Sequence, residues 1–99
     1  MAGEALVQKK VLGALKERGA YAVKVHGSNY QPKTIDIIAC YRGLFIGIET
    51  KARPGLRPTT RQRMTLEEIS KAGGEAHLVT DASQITDLLD GLDSLFDDD

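Results

Sequence analysis

Apolar residues in this chain change their spacing several times, and each change marks an element. From about Gly3 to Glu17, Leu6, Val7, Val11, Ala14 and Leu15 recur every three to four residues, the stripe of a half-buried helix. Gly19 ends it. Tyr21–His26 alternates apolar and polar as a strand does, and Gly27–Lys33 is a polar loop. Two apolar runs follow, 35–41 and 44–51, separated only by Arg42-Gly43, so they are expected to pair as a hairpin. After the loop Arg53-Pro54-Gly55-Leu56-Arg57-Pro58, Thr59 or Thr60 caps a second helix running to about Ala72, with Leu66 and Ile69 inward. Gly73-Gly74 closes it, and Ala76–Thr80 is a fourth strand. Asp81 or Ser83 caps a last helix, with Ile85, Leu88, Leu89, Leu92 and Phe96 inward.

The order is therefore α-β-β-β-α-β-α, an α/β fold. The third strand, second helix and fourth strand make a crossover unit, expected to be right-handed with its strands parallel. The hairpin makes the rest antiparallel. A mixed four-stranded sheet flanked by helices accommodates both.

At 99 residues the chain has room for one core and reads as a single domain, with residues 97–99 as a disordered acidic tail. No apolar stretch is long enough to span a bilayer, and no secretory leader precedes the first helix, so a cytoplasmic protein is expected (host cytoplasm, if phage-encoded). The lone Cys40 excludes an internal disulfide and a multi-cysteine zinc site, and its apolar strand predicts burial. The net charge of -1 conceals an asymmetry. All 13 Lys and Arg lie in residues 1–71, against six acids there, while residues 72–99 hold eight acids and no base. A near-neutral total is thus compatible with a phosphate-facing half and an acidic half turned elsewhere.

The charged residues inside the apolar runs bear on chemistry. Buried strands rarely carry charge without a partner or a function. Glu49 and Lys51 share one strand face with Phe45 and Gly47, and Gly47 is expected to leave open space before Glu49. Taken alone, Glu49 and Lys51 read as an ion pair at a sheet end. Asp36 alters the balance: it lies as far before the Arg42-Gly43 turn as Glu49 lies after it, and paired strands are only ~5 Å apart. Two carboxylates there could share a divalent cation, with a lysine beside a phosphate. As a turn residue, Asp36 would instead cap the strand entry. Gln62 falls on the inward stripe of its helix, where its amide serves either the site or a backbone cap. Glu4 shares a face with Val7, Val11 and Leu15, but an acid in a first helical turn is also favoured by the helix dipole. Arg53, Arg57, Arg61 and Arg63 bracket the loop and helix start, where guanidinium groups suit phosphate oxygens. Lys9, Lys10, Lys16 and Arg18 read as an exposed helix face that could extend a DNA track. His26 and His77 have no partner at metal-ligand spacing; His77 reads as structural, and His26, beside the Gly27–Lys33 loop, reads as structural or as a substrate contact. Three scattered tyrosines make no stacking platform for single strands.

Together, Glu4, Asp36, Glu49-Thr50-Lys51 and Gln62 resemble the PD-(D/E)XK nuclease superfamily, most closely its VRR-NUC branch of small stand-alone phage-type nucleases, similar to Holliday junction resolvases. The resemblance covers almost the whole chain, and its most specific stretch runs from Glu49 through Gly55 to Thr60-Arg61-Gln62. One departure is that Lys33-Thr34-Ile35 stands where the family often has Pro or Gly before the Asp. The resemblance implies a restriction-endonuclease-like fold and a structure-selective DNA endonuclease dependent on Mg²⁺ or Mn²⁺. It implies metal binding by Asp36, Glu49, the Thr50 backbone carbonyl and Glu4, catalysis by Asp36, Glu49, Lys51 and Gln62, and DNA contacts from the four arginines. It further implies a homodimer acting on Holliday junctions or other branched DNA, without membrane association. A non-catalytic nucleic-acid-binding module of the same fold is the alternative.

Overall fold

The computed structural model of the chain describes residues 2–28 and 34–97. Most of the 27–33 loop, including Tyr30, and the tail residues Asp98 and Asp99 lie outside them. The elements are α1 (Ala2–Glu17), β1 (Tyr21–Lys24), β2 (Ile37–Tyr41), β3 (Leu44–Thr50), α2 (Thr60–Lys71), β4 (Glu75–Val79) and α3 (Ser83–Phe96). This is the expected order. The sheet order is β1-β2-β3-β4, with β1–β2 and β2–β3 antiparallel and β3–β4 parallel through the α2 crossover.

The register of the central hairpin pairs Ile37 with Ile48 and Tyr41 with Leu44. Its two-residue turn has φ 53° at Arg42 and φ 86° at Gly43. Positive φ at both central positions matches the right-handed twist of the strands. It costs a non-glycine residue such as Arg42 about 1–2 kcal/mol. Contacts to α3 offset that cost. The Arg42 guanidinium lies 3.0 Å from Asp93 and 4.6 Å from the centroid of the Phe96 ring.

The main core lies between the sheet and the α1–α3 pair. Val11 and Leu15 of α1 and Ile85, Leu89 and Leu92 of α3 close over Ile37, Ala39, Ile46, Ile48 and Val79. Three sequence expectations are corrected here. Leu6 is 49% exposed, whereas Gln8 is buried. Nine residues separate Leu6 from Leu15, which is two and a half helical turns, so Leu6 faces away. Phe96 is on the inward stripe but lies at the end of α3, where its half-exposed ring covers Arg42 instead of the core. Cys40 is exposed because it points to the opposite sheet face, over which α2 contacts only β3 and β4.

On that second face, α2 has no fully buried residue, and Ile69 makes its closest approach at Gly47. A Cβ at Gly47 would lie 2.5 Å from Ile69 Cδ1 and 2.7 Å from Ile35 Cδ1. The space before Glu49 is therefore filled, not open. Glycine lets α2 sit close enough to bring its N-terminus over the end of β3.

A second polar cluster ties α1, the hairpin and α3 together. Asp93 accepts hydrogen bonds from Tyr41 Oη (2.6 Å), Arg18 Nη2 (2.8 Å) and Arg42 Nη1 (3.0 Å). Arg18 also pairs with Asp90 at 2.9 Å. The Tyr41 hydroxyl, followed by Arg42, holds the Asp93 carboxyl below its usual range.

Two predictions arise. Gly47→Ala forces Ile69 and Ile35 apart and should lower stability by about 1–3 kcal/mol in urea unfolding, with Ile69→Val in the same chain recovering part of it. Asp93, with its folded-state pKa depressed, contributes stability that is present above the unfolded carboxylate range and is lost as pH falls through the folded value. Unfolding curves of the wild type and Asp93→Asn should thus differ most near neutral pH and converge on acidification. Parallel curves at all pH values would exclude this role for Asp93.

Candidate active site

The hairpin register, continued one pair beyond Ile37 and Ile48, sets Asp36 opposite Glu49. The backbone of Asp36 is held from both sides: its N–H donates to Ile48 O (3.2 Å), and its carbonyl accepts from Val25 N–H (2.8 Å). Both carboxylates are 1% exposed. The chain bends at Asp36, and its Oδ2 accepts two hydrogen bonds from Thr50, one from the backbone N–H and one from the hydroxyl, each 2.8 Å. Thr50 is a fully buried polar residue, and its side chain holds Asp36. Capping of backbone by Asp36 therefore does occur, but at the end of β3.

Glu49 is held from two other directions. Lys51 Nζ lies 3.8 Å from its Oε2, with the lysine side chain 14% exposed. The Lys51 N–H donates to Val79 O at 3.0 Å, so β4 fixes the backbone beneath it. The Gln62 amide donates to the same Oε2. The orientation of that amide has a local cause. Thr59 is the N-cap of α2, its Oγ1 accepts from Gln62 N–H (3.2 Å), and Gln62 Oε1 accepts from Thr59 N–H (2.8 Å). This is a capping box. With Oε1 committed to the cap, the amide nitrogen is left facing Glu49. The two readings of Gln62, cap and site, are both realised. Thr59-x-x-Gln62 carries the spacing of this cap in the sequence itself.

Glu4 lies in the first turn of α1 and is partly buried. That turn abuts the end of β3, since a Cβ on Gly3 would lie 3.2 Å from Ala52 Cβ. Even so, no group of three His, Cys, Asp or Glu side chains suited to a metal forms among the described residues. The structure thus brings Asp36, Glu49, Lys51 and Gln62 together and leaves Glu4 nearby. Arg53, Arg57, Arg61 and Arg63 are all exposed. Arg63 pairs with Glu67 at 3.0 Å, and the other three form no ion pair among the described residues. His77 pairs with Glu75 at 3.0 Å, and His26 is exposed.

The donor chemistry fits a hard divalent cation. Two carboxylates side by side are oxygen ligands, and Mg²⁺ is commonly held by one or two carboxylates while keeping several waters. Neither an imidazole nor a thiolate stands in this set.

Solved structures share this architecture. A structure described as a VRR_NUC domain superposes with a TM-score of 0.76 at 21% identity, covering 89% of this chain and 95% of that one. The chain has the VRR_NUC fold. Archaeoglobus fulgidus Hjc, a Holliday junction resolvase from an archaeal hyperthermophile, superposes with a TM-score of 0.57 at 22% identity, covering 75% of this chain and 64% of the resolvase. No protein-family model matches the sequence, and no curated protein matches it. Among the described residues, no helix is long and apolar enough to cross a membrane.

Thr50→Val keeps the side-chain shape and removes the hydroxyl from Asp36. It should destabilise the fold by about 1.5–3 kcal/mol in chemical unfolding, the range for a hydrogen bond to a charged group, with Thr50→Ser close to wild type. Equal stability of Val and Ser variants would mean that the hydroxyl does not hold Asp36.

Proposed function

We propose that this chain is a Mg²⁺- or Mn²⁺-dependent DNA endonuclease of the VRR-NUC family. The observation that carries the proposal is Glu49, buried at a sheet end and held by both Lys51 and Gln62, opposite an equally buried Asp36. The VRR_NUC fold supports it.

Asp36, Glu49 and the Thr50 carbonyl would hold the cation, with Glu4 joining directly or through water. A bound cation supplies a water of lowered pKa and positive charge against the phosphorane. The remaining chemistry falls to the chain's own groups. Lys51 orients the attacking water or offsets charge developing on the phosphate. Gln62 holds Glu49 in place through its oriented amide. Arg53, Arg57, Arg61 and Arg63 contact the DNA backbone, Arg63 exchanging Glu67 for a phosphate. Hydrolysis leaves a 5′-phosphate and a 3′-hydroxyl. The protein acts as a homodimer in the cytoplasm, and its two-fold symmetry offers two sites to two strands, as a Holliday junction or other branched DNA requires. The Hjc likeness supports this substrate class.

The test is cleavage of branched and linear DNA with Mg²⁺, Mn²⁺ or EDTA. EDTA should abolish cutting, and Lys51→Ala should reduce its rate by roughly 100-fold or more, the scale for removing one group that stabilises transition-state charge. Tight binding without cleavage in either metal would leave the non-catalytic DNA-binding module. Normal cutting by Lys51→Ala would overturn the role of the lysine.

A further inference from the structure

A groove of about 380 Å³ runs along α1 beside β1, separate from the carboxylates. Gln8 lines it and is 6% exposed. The Gln8 side chain makes no hydrogen bond among the described residues. Its amide atoms still reach solvent in the groove, where water or a ligand can meet them. Lys9, Lys16 and Lys24 also line the groove, and no acid does. Lys9 and Lys16 are seven residues apart, two turns on the same helix face, or about 10 Å. Cations at that separation outreach a single phosphate group and match a run of them. Leu12 and the bare backbone at Gly13 complete the lining between them.

The groove opens at the end of the sheet that carries the carboxylates. Lys24 is the register partner of Ile37, the neighbour of Asp36, and the next residue, Val25, bonds to the Asp36 carbonyl. The α1 N-terminus rests on Ala52, just beyond Lys51. A strand leaving the carboxylates in this direction passes directly along α1.

We infer that this groove binds the sugar–phosphate backbone of DNA, with Lys9, Lys16 and Lys24 on successive phosphates and the Gln8 amide donating to a backbone oxygen. It forms a second backbone track, lined by none of the arginines of the loop after β3. The inference rests on the nuclease reading above for the identity of the polyanion.

The test is fluorescence anisotropy with labelled duplex and four-way-junction DNA in EDTA, across a salt series, alongside a cleavage assay in Mg²⁺. Lys9→Ala/Lys16→Ala/Lys24→Ala should reduce the slope of log affinity against log salt by two to three units, and each single change by about one. Gln8→Met should weaken binding several-fold with the slope unchanged. Lys71→Ala, exposed and outside the groove, should match wild type. Thermal melts confirm that each variant is folded. Loss of slope in the triple variant supports the groove whether or not the wild type cuts. An unchanged slope in a protein that binds and cuts overturns the groove alone. Binding with a lost slope but no cleavage in Mg²⁺ or Mn²⁺ overturns the nuclease reading alone. No DNA binding by the wild type at any salt overturns both.

Discussion

Asp36 and Glu49 face each other because the β2–β3 hairpin turns at Arg42-Gly43 and nowhere else. Strand side chains alternate, so a slip of one residue would exchange the faces of a whole strand. Ile46 and Ile48 would leave the core, and Glu49 would enter it. The positive φ angles of the turn fix the register from one end, and Asp93, through Tyr41 and Arg42, anchors the same turn to α3. The core and the carboxylate pair are thus set by the same backbone pairing.

Around that pair, each acid is steadied by a neighbour with a second role. Thr50 continues β3 while donating twice to Asp36. Gln62 starts α2 while donating to Glu49. Gly47 is what lets α2 come this near, because any side chain there would meet Ile69. Two buried carboxylates in adjacent positions repel, so the site depends on these donors and on Lys51 to hold its shape.

The fold and the pairing of Asp36 with Glu49 were legible from the chain itself for a simple reason: both depend on counting. Equal distances from Arg42-Gly43 place Asp36 opposite Glu49, and helical period places Gln62 inward. What escaped the count depends on what covers a face. Cys40 was expected inside because its strand is apolar, yet the helix above its face stops at β3. Phe96 has the right period but the wrong end of α3. Gln8, on the line of Val11 and Leu15, was hidden by its polarity, and Leu6 was placed inward although it stands half a turn out. The bonds of Arg18 and Tyr41 to Asp93 span 75 and 52 residues, and no local pattern announces them.

The cap of α2 also narrows what position 62 can become. In most helices the third residue of a capping box is interchangeably Glu or Gln, since either supplies the oxygen that the cap requires. Here the other end of the same group faces Glu49. A glutamate would keep the helix start and set a third negative charge against a carboxylate already beside another. An alanine would lose both bonds at once. A position that is ordinarily among the most permissive on a helix surface is therefore closed to its usual alternative, and drift in the sequence of α2 must go around it.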